Sequence, residues 1–169
     1  AGLGSALPDF TGGFNNTLTY KDFDLSVFTY FSLGGKIYDA LYAALSHSGI
    51  SAGQQMSRDV LNAWSANNTT STLPRFLPAS NTDLSNSQSS RFLYDGSYMR
   101  IKNITLGYTL NKALASKAKL SNIRIFVMAE NPFTIAKHKG MDPEVAITGL
   151  SDNDIPNIKT ISAGLSVGF

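Results

Sequence analysis

The residues that could do chemistry in this chain are few and scattered. Its two histidines, His47 and His138, stand in separate predicted loops, and no serine–histidine–aspartate arrangement is suggested. A single histidine in a loop is usually just solvated, so we expect no catalytic residue. Cysteine is absent, which excludes disulfides and thiolate metal sites. We therefore predict that the chain is not an enzyme and holds no cofactor.

Four carboxylates gather in one predicted loop and are the first candidates for metal ligands: Asp142, Glu144, Asp152 and Asp154. Calcium needs several oxygen ligands at a defined spacing, and this spacing fits no calcium-loop motif. We expect solvated acids and no metal site. The neighbouring Lys137-His138-Lys139 could contact lipopolysaccharide phosphates or a partner, but we expect a solvated loop.

Four aromatic side chains in a long predicted loop could contact a ligand: Tyr38, Tyr42, Trp64 and Tyr94. Aromatic faces stack on sugars and also anchor protein interfaces. Packing within the loop itself is the competing interpretation. We keep these residues as candidates for contact with a substrate or a partner.

Strict alternation at the end of the sequence indicates a strand with one apolar face. Ile161, Ala163, Leu165, Val167 and Phe169 share one parity, and every residue of the other parity from 160 to 168 is threonine, serine or glycine. Such a strand suits the closing strand of an outer-membrane β-barrel, whose apolar side meets lipid. A buried strand of a soluble β-sandwich is the alternative.

Composition favours a barrel over a helical membrane protein or an ordinary soluble domain. Charged residues make up 15% of the chain, against about 25% in typical soluble domains. No run of about 18 apolar residues exists, so no transmembrane helix is expected. The net charge of +2 gives no reason to expect a nucleic-acid partner.

Alternation predicts an all-β chain with five antiparallel strands, at about 10–20, 23–33, 97–110, 121–130 and 159–169. Two long segments, 34–96 and 131–158, exceed what a structural connection needs. Spacings of four from Ile37 to Leu45 predict a short helix in the first of them. Asn131-Pro132 is expected to end the fourth strand.

The third strand carries a change of phase, because its apolar residues are odd-numbered up to Ile101 and even-numbered from Ile104. A β-bulge near Lys102-Asn103 would return them to one face. It would also keep lysine and arginine off the lipid side, where each costs about 2–4 kcal/mol at mid-bilayer. The candidates for the polar, lumen-facing side are Arg100, Lys102 and Thr105.

The connections alternate between short and long, which is the asymmetry of bacterial barrels. With the last strand ending in the periplasm, both long segments fall outside the cell and the turns fall inside. An aromatic girdle would then form at one membrane border from Tyr20, Phe23, Tyr108 and Phe169. Five strands cannot close a barrel, since bacterial barrels have at least about eight. We expect the other strands to lie outside this sequence.

The stretch from Asp95-Gly96-Ser97-Tyr98-Met99-Arg100 to Thr105-Leu106-Gly107-Tyr108 resembles the C-terminal barrel region of SusC/RagA-like TonB-dependent transporters of Bacteroidetes. Val127-Met128-Ala129-Glu130-Asn131-Pro132-Phe133-Thr134 and Lys139-Gly140-Met141-Asp142-Pro143-Glu144-Val145 resemble it as well. Glu130 and Pro132 depart from the usual family residues. The resemblance covers nearly the whole chain except the variable loops.

The resemblance implies that residues 1–169 are roughly the last five strands of a 22-stranded barrel whose N-terminal plug lies outside the sequence. It further implies TonB-dependent import of an oligomeric nutrient, a glycan or a peptide, across the outer membrane. A SusD-like surface lipoprotein would act as the lid, and TonB would act through the plug. The terminal strand would carry the signal for barrel assembly, at Leu165, Val167 and Phe169. The rival hypothesis is a soluble or surface β-sandwich that binds carbohydrate.

Overall fold

The computed structural model describes residues 2–49, 53–77, 87–117, 119–140, 142–144 and 148–169. The chain divides into two compact units. The loop unit comprises Ala1–Leu7, Gly35–Asp95 and His138–Ile155, and the sheet unit comprises Pro8–Gly34, Gly96–Lys137 and Pro156–Phe169. No helix in the described part is long and apolar enough to cross a membrane.

The described residues form eight strands, which in chain order are β1 Phe10–Tyr20, β2 Phe23–Leu33, β3 Lys36–Asp39, β4 Leu93–Asp95, β5 Tyr98–Thr109, β6 Asn122–Ala136, β7 Leu150–Ser151 and β8 Thr160–Gly168. Two short α-helices accompany them, α1 Ala40–Leu45 and α2 Lys112–Lys117. Single turns of 3₁₀ helix occupy Arg58–Asn62 and Ser90–Phe92.

The sheet unit is one antiparallel sheet in the order β1-β2-β5-β6-β8. Strands β1 and β2 form where the alternation predicts them. In the described part of the chain, β1 pairs only with β2 and β8 only with β6, so the outer edges of both strands carry backbone groups that no described strand satisfies.

An extra residue in β5 confirms the predicted bulge. Ile101 lies opposite Thr29 and Asn103 lies opposite Phe28, so Lys102 is the residue that the register passes over. Because one residue is skipped, the apolar side chains before and after it return to the same face of the sheet.

Strand β6 is longer than the sequence predicts, and the expectation that Asn131-Pro132 ends it is wrong. The strand continues to Ala136, so the second long segment begins later than residue 131. The β5 register steps from Glu130 to Phe133, which leaves Asn131 and Pro132 in an irregularity beside the β5 bulge. Proline is tolerated there because it interrupts no regular ladder hydrogen bond.

The two faces of the sheet differ in composition along whole cross-strand rows. One row reads Leu18, Leu25, Leu106, Val127 and Ala163, from β1 across to β8. Three members, Leu18, Leu106 and Val127, are 60%, 50% and 48% exposed. The neighbouring row on the opposite face reads Thr17, Ser26, Thr105, Met128 and Ser162. The sheet therefore presents one continuous apolar face and one mainly polar face.

Two aromatic residues of β2 interrupt the polar parity, and the structure explains both. The Phe28 ring lies where a side chain on Gly13 would be, with 3.0 Å from the ring to an ideal Cβ. The Tyr30 ring lies 6.0 Å from the Tyr98 ring, measured between centroids. Aromatic rings that cover glycines on a neighbouring strand stabilise a curved sheet.

The loop unit contains a small sheet that the sequence does not predict. Strand β3 pairs antiparallel with β4 and parallel with β7. The expected helix from Ile37 to Leu45 is therefore only half correct, because Ile37 and Tyr38 lie in β3 and α1 begins at Ala40. Ile37 is buried, and pairing on both sides of β3 satisfies the backbone that a helix would have satisfied internally.

Candidate functional site

The polar face of the sheet unit holds the three residues predicted to face the lumen. Arg100 donates from Nε to Thr134 Oγ1 at 2.9 Å, and its guanidinium lies 5.8 Å from the Tyr98 ring centroid. Lys102 Nζ lies 6.0 Å from the Tyr30 ring centroid. Thr105 donates from Oγ1 to Asn103 Oδ1 at 2.8 Å. The cations are thus placed against aromatic rings of the same face.

An ion pair that the sequence did not reveal crosses this face. Arg124 on β6 donates from Nε to Asp24 Oδ1 at 3.0 Å and from Nη2 to Asp24 Oδ2 at 2.5 Å. The pair spans from β2 to β6 across the intervening β5, where Gly107 lies opposite Asp24. A Cβ on Gly107 would lie 2.4 Å from Arg124 Nη2 and from Asp24 Oδ1. Glycine is required here because the ion pair occupies the place of a side chain.

We expect Gly107→Ala to cost about 1 kcal/mol, because the methyl group displaces a partly buried bidentate pair. The loss should shrink in an Arg124→Ala background, where no pair remains to be displaced. Urea unfolding of the four proteins in a double-mutant cycle measures the coupling. Equal losses in both backgrounds would show that Gly107 acts through the backbone alone.

The loop unit centres on Phe92, which is 2% exposed. Tyr38 and Tyr42 both meet its ring edge-on, with centroids 6.2 Å and 6.0 Å away. Tyr42 also donates its hydroxyl hydrogen to Asp59 Oδ2 at 2.9 Å. Three of the aromatic candidates, Tyr38, Tyr42 and Tyr94, have ring partners inside the unit, whereas Trp64 is 43% exposed.

The expectation that both histidines are solvated is wrong. His138 Nε2 lies 2.8 Å from Asp39 Oδ2, and its ring stacks on Tyr94 at 4.0 Å between centroids. Asp39 is 3% exposed, and its Oδ1 accepts the backbone N–H of Tyr42 at 2.8 Å as the N-cap of α1. His47 is 6% exposed, with its Nδ1 accepting the Gly49 N–H. One carboxylate thus ties the start of α1 to residue 138.

The loop unit also contains a cleft and two local turns formed by acidic residues. A shallow cleft of about 450 Å³ is bordered by Tyr42, Asp59, Asn62, Asn68 and residues 70–73. Asp142 Oδ1 accepts the Glu144 N–H, and Asp154 Oδ2 accepts the Asp152 N–H. These acids make local turn contacts with their own backbone.

Relatives of known class share nearly the whole chain. TonB-dependent receptor P3 of Formosa agariphila is 35% identical over 178 residues, which cover 99% of this chain and 17% of that protein. TonB-dependent receptor SusC of Bacteroides thetaiotaomicron is 32% identical over 163 residues, which cover 95% of this chain and 15% of that protein. The chain belongs to the SusC/RagA-like TonB-dependent receptors. No family model matches the sequence.

Solved structures of a SusC/RagA-like receptor share the fold. The RagAB peptide transporter superposes with a TM-score of 0.85 at 27% identity, over 98% of this chain and 18% of that chain. The RagAB peptide importer in its closed-closed state gives 0.84 at 26% identity, over 99% of this chain and 18% of that chain. The chain spans less than a fifth of the length of the curated relatives it matches. It is part of an outer-membrane β-barrel.

Three residues of this receptor segment that form long-range polar contacts were not predicted from the sequence: Asp24, Asp39 and Arg124. Each pairs with a partner about 100 positions away, at separations of 100 and 99 residues. The alternation in the sequence does place Asp24 and Arg124 on the polar sides of their strands, near the turn-side ends. Their pairing depended on the order of the strands, which local pattern does not give.

Alkaline conditions should loosen the loop unit of the receptor. Burial first, and then the hydrogen bond to Asp59, raise the pKa of Tyr42 above 10. Burial likewise raises the pKa of Tyr94. An unfolded tyrosine ionises near pH 10, so the neutral folded form contributes stability below that pH and loses it as pH rises through the folded pKa. Tyr42→Phe should remove part of this dependence, as hydrogen exchange of α1 between pH 8 and 11 will measure.

Proposed function

We propose that this chain forms barrel wall and outer loops of a TonB-dependent importer of oligomeric nutrients, glycans or peptides, across the bacterial outer membrane. The observation that carries the proposal is the two-faced sheet with open edges. Its apolar rows suit hydrocarbon and its polar rows suit a water-filled lumen. Its edge strands β1 and β8 have backbone groups on their outer edges that further strands of a barrel would pair with. A soluble β-sandwich would instead have to bury the apolar face.

The orientation follows from the lengths of the connections. Residues 21–22 and α2 with its flanks connect strands at one end of the sheet, where Tyr20, Phe23 and Tyr108 also lie in register. The Phe23 and Tyr108 rings are 4.7 Å apart between centroids. Bacterial barrels place short turns in the periplasm and aromatic rings at the membrane border. We place this end at the periplasmic border and the long segments outside the cell.

The candidate residues take separate roles in this arrangement. Arg100, Lys102 and Thr105 line the lumen beside the plug. Tyr38, Tyr42, Trp64 and Tyr94 belong to the outer vestibule, where a substrate or a lid meets the receptor. Trp64 is the best placed for contact because its side chain is 43% exposed, whereas the other three are only partly exposed. We assign no catalytic role and no bound metal.

The partners follow from the same proposal. A SusD-like surface lipoprotein would cover the outer loops, and TonB would supply energy through a plug outside this sequence. The other strands of the barrel would pair with β1 and β8, and lipids of the outer membrane would cover the apolar face. The residues themselves favour neither a glycan nor a peptide, and RagAB, a solved structure similar to this chain, is a peptide transporter.

Uptake by the full-length protein tests the proposal. A strain that lacks the receptor and the proposed SusD-like lipoprotein should fail to take up one class of labelled oligomer. Expression of both proteins from a plasmid should restore uptake. Complementation should depend on TonB. Uptake that is unchanged in the deletion strain for every oligosaccharide and oligopeptide pool would refute import as the function.

Strand β8 should direct barrel assembly of the full-length receptor through Leu165, Val167 and Phe169. Phe169 is 97% exposed and follows Gly168, which pairs with Asn122 at the end of the sheet. We expect removal of Phe169 to lower the surface level of the receptor several-fold, measured by outer-membrane fractionation. Replacement of Phe169 by tyrosine is the matched control, since it keeps an aromatic ring. Normal levels of the protein without Phe169 would contradict the assembly role.

A further inference from the structure

The turn-side end of the sheet carries an unbalanced cluster of lysines, Lys21, Lys112, Lys117 and Lys119, which we call the basic rim. All four are exposed, and within the described residues none of them forms an ion pair. Arg124 nearby is already held by Asp24. Besides Asp24, Asp22 is the side-chain carboxylate at the turn-side end of the sheet among the described residues. The rim therefore presents positive charge that the protein itself does not neutralise.

Backbone geometry shows that two of these lysines occupy costly positions. Lys21 has a φ of 53° and Lys119 a φ of 60°, and Asn131 is the other non-glycine described residue with a positive φ. Glycine or asparagine adopts such a conformation at lower cost. A lysine at a position that favours glycine suggests that its side chain is used for something other than folding.

The contacts of the sheet place the rim at one level. The Thr109 N–H donates to the Asp22 carbonyl at 2.8 Å, so the hairpin turn at Lys21 lies beside the end of β5. Helix α2 follows directly, and the Ser121 N–H then donates to the Gly168 carbonyl at 2.9 Å. The turn, the helix and the end of β8 thus meet at the same end of the apolar face.

Apolar groups at the rim point to a membrane surface as the occupant. Tyr20 is 72% exposed, and Lys21 Nζ lies 5.4 Å from its ring centroid. Leu114 in α2 is 55% exposed, whereas Ala115 is buried. Rings and a leucine beside lysines match the border between hydrocarbon and headgroups, where rings embed and long cationic side chains reach phosphate.

We propose that the basic rim binds the phosphates of anionic glycerophospholipids in the periplasmic leaflet of the outer membrane. Lysines beside an anionic surface each add to the attraction, and the ammonium groups on flexible stems can meet several headgroups at once. Bound lipid would hold the turns at a defined depth in the membrane during transport. The proposal rests on the orientation proposed above, because the outer leaflet offers the phosphates of lipid A instead.

Lipid binding by the delipidated full-length receptor tests the rim. Native mass spectrometry would follow titration with phosphatidylglycerol, with lipid A and with phosphatidylcholine, which is zwitterionic and has no net charge. We expect phosphatidylglycerol to bind in preference to both. Lys112→Gln with Lys117→Gln should lower that affinity about tenfold, taking roughly a fivefold contribution for each charge with partial compensation by the other two.

Two matched variants make the result specific to the rim. Lys139→Gln with Lys159→Gln removes two exposed charges elsewhere and should leave the preference unchanged. Lys112→Arg with Lys117→Arg keeps the charge and should retain the lipid. An equal affinity for phosphatidylglycerol and phosphatidylcholine, or an equal loss in the 139/159 variant, would overturn the proposal. Stronger binding of lipid A would overturn it too and would reverse the orientation. Uptake is not measured, so a failure here leaves the import function standing.

Discussion

Val127→Arg should strongly destabilise the folded receptor in the outer membrane. Val127 lies inside the apolar face, with Leu106 on one side and Ala163 on the other, and is 48% exposed. An arginine there would face hydrocarbon, which costs about 2–4 kcal/mol near mid-bilayer. Since 1.4 kcal/mol is a factor of ten, we expect the equilibrium constant for folding to fall about 30-fold or more. Refolding of full-length protein into lipid vesicles, read by heat-modifiable gel migration, measures the loss.

The next residue of the same strand supplies the control. Met128 faces the polar side, between Thr105 and Ser162, so Met128→Arg places the same charge toward the proposed lumen. It should fold with little loss. Comparable losses for both variants would mean that the two faces meet similar surroundings, which would remove the basis for the barrel wall.

Asp39→Ala should give the largest effect within the loop unit. The change removes the N-cap of α1 and the partner of His138 together, both at a residue that is 3% exposed. A cap contributes about 1 kcal/mol, and a buried hydrogen bond contributes about another 1 kcal/mol. We expect a local loss of about 2 kcal/mol, seen as faster hydrogen exchange in residues 36–45 of the full-length receptor.

Two comparisons isolate the cause of that loss. Asp154→Ala removes an exposed carboxylate of the same unit and should leave exchange in residues 36–45 unchanged. Asp39→Asn keeps the cap oxygen and should recover roughly half of the loss. Unchanged exchange in Asp39→Ala would show that packing around Phe92 holds α1 without the carboxylate.

Strands of the sheet unit were largely predictable because each is locally determined. A strand with lipid on one side and polar surroundings on the other must alternate, and β1, β2 and β8 alternate with few exceptions. Even the bulge at Lys102 could be predicted, since a change of parity in an amphipathic strand has few other remedies. Phe28 and Tyr30 were the exceptions, because their places depend on glycines and rings of neighbouring strands.

The loop unit was poorly predictable for the opposite reason. Strand β3 has four residues and β7 has two, too few for a period to show. The spacing of four from Ile37 to Leu45 predicted one helix, whereas the first part of this segment lies in strand β3 and only the second part in helix α1. The contact of His138 with Asp39 joins residues 99 positions apart, so no pattern near the histidine indicated it.

By itself, the sequence determined which side of each long strand is apolar, where the extra residue of β5 falls, and to which family the motifs are similar. These follow from alternation and motif spacing, which act over a few residues. Only the tertiary structure decided which distant side chains meet: Asp24 with Arg124 over Gly107, and Asp39 with His138 beside Tyr94. Strand order and the closure of loops set those meetings, and both depend on contacts between residues far apart in the chain.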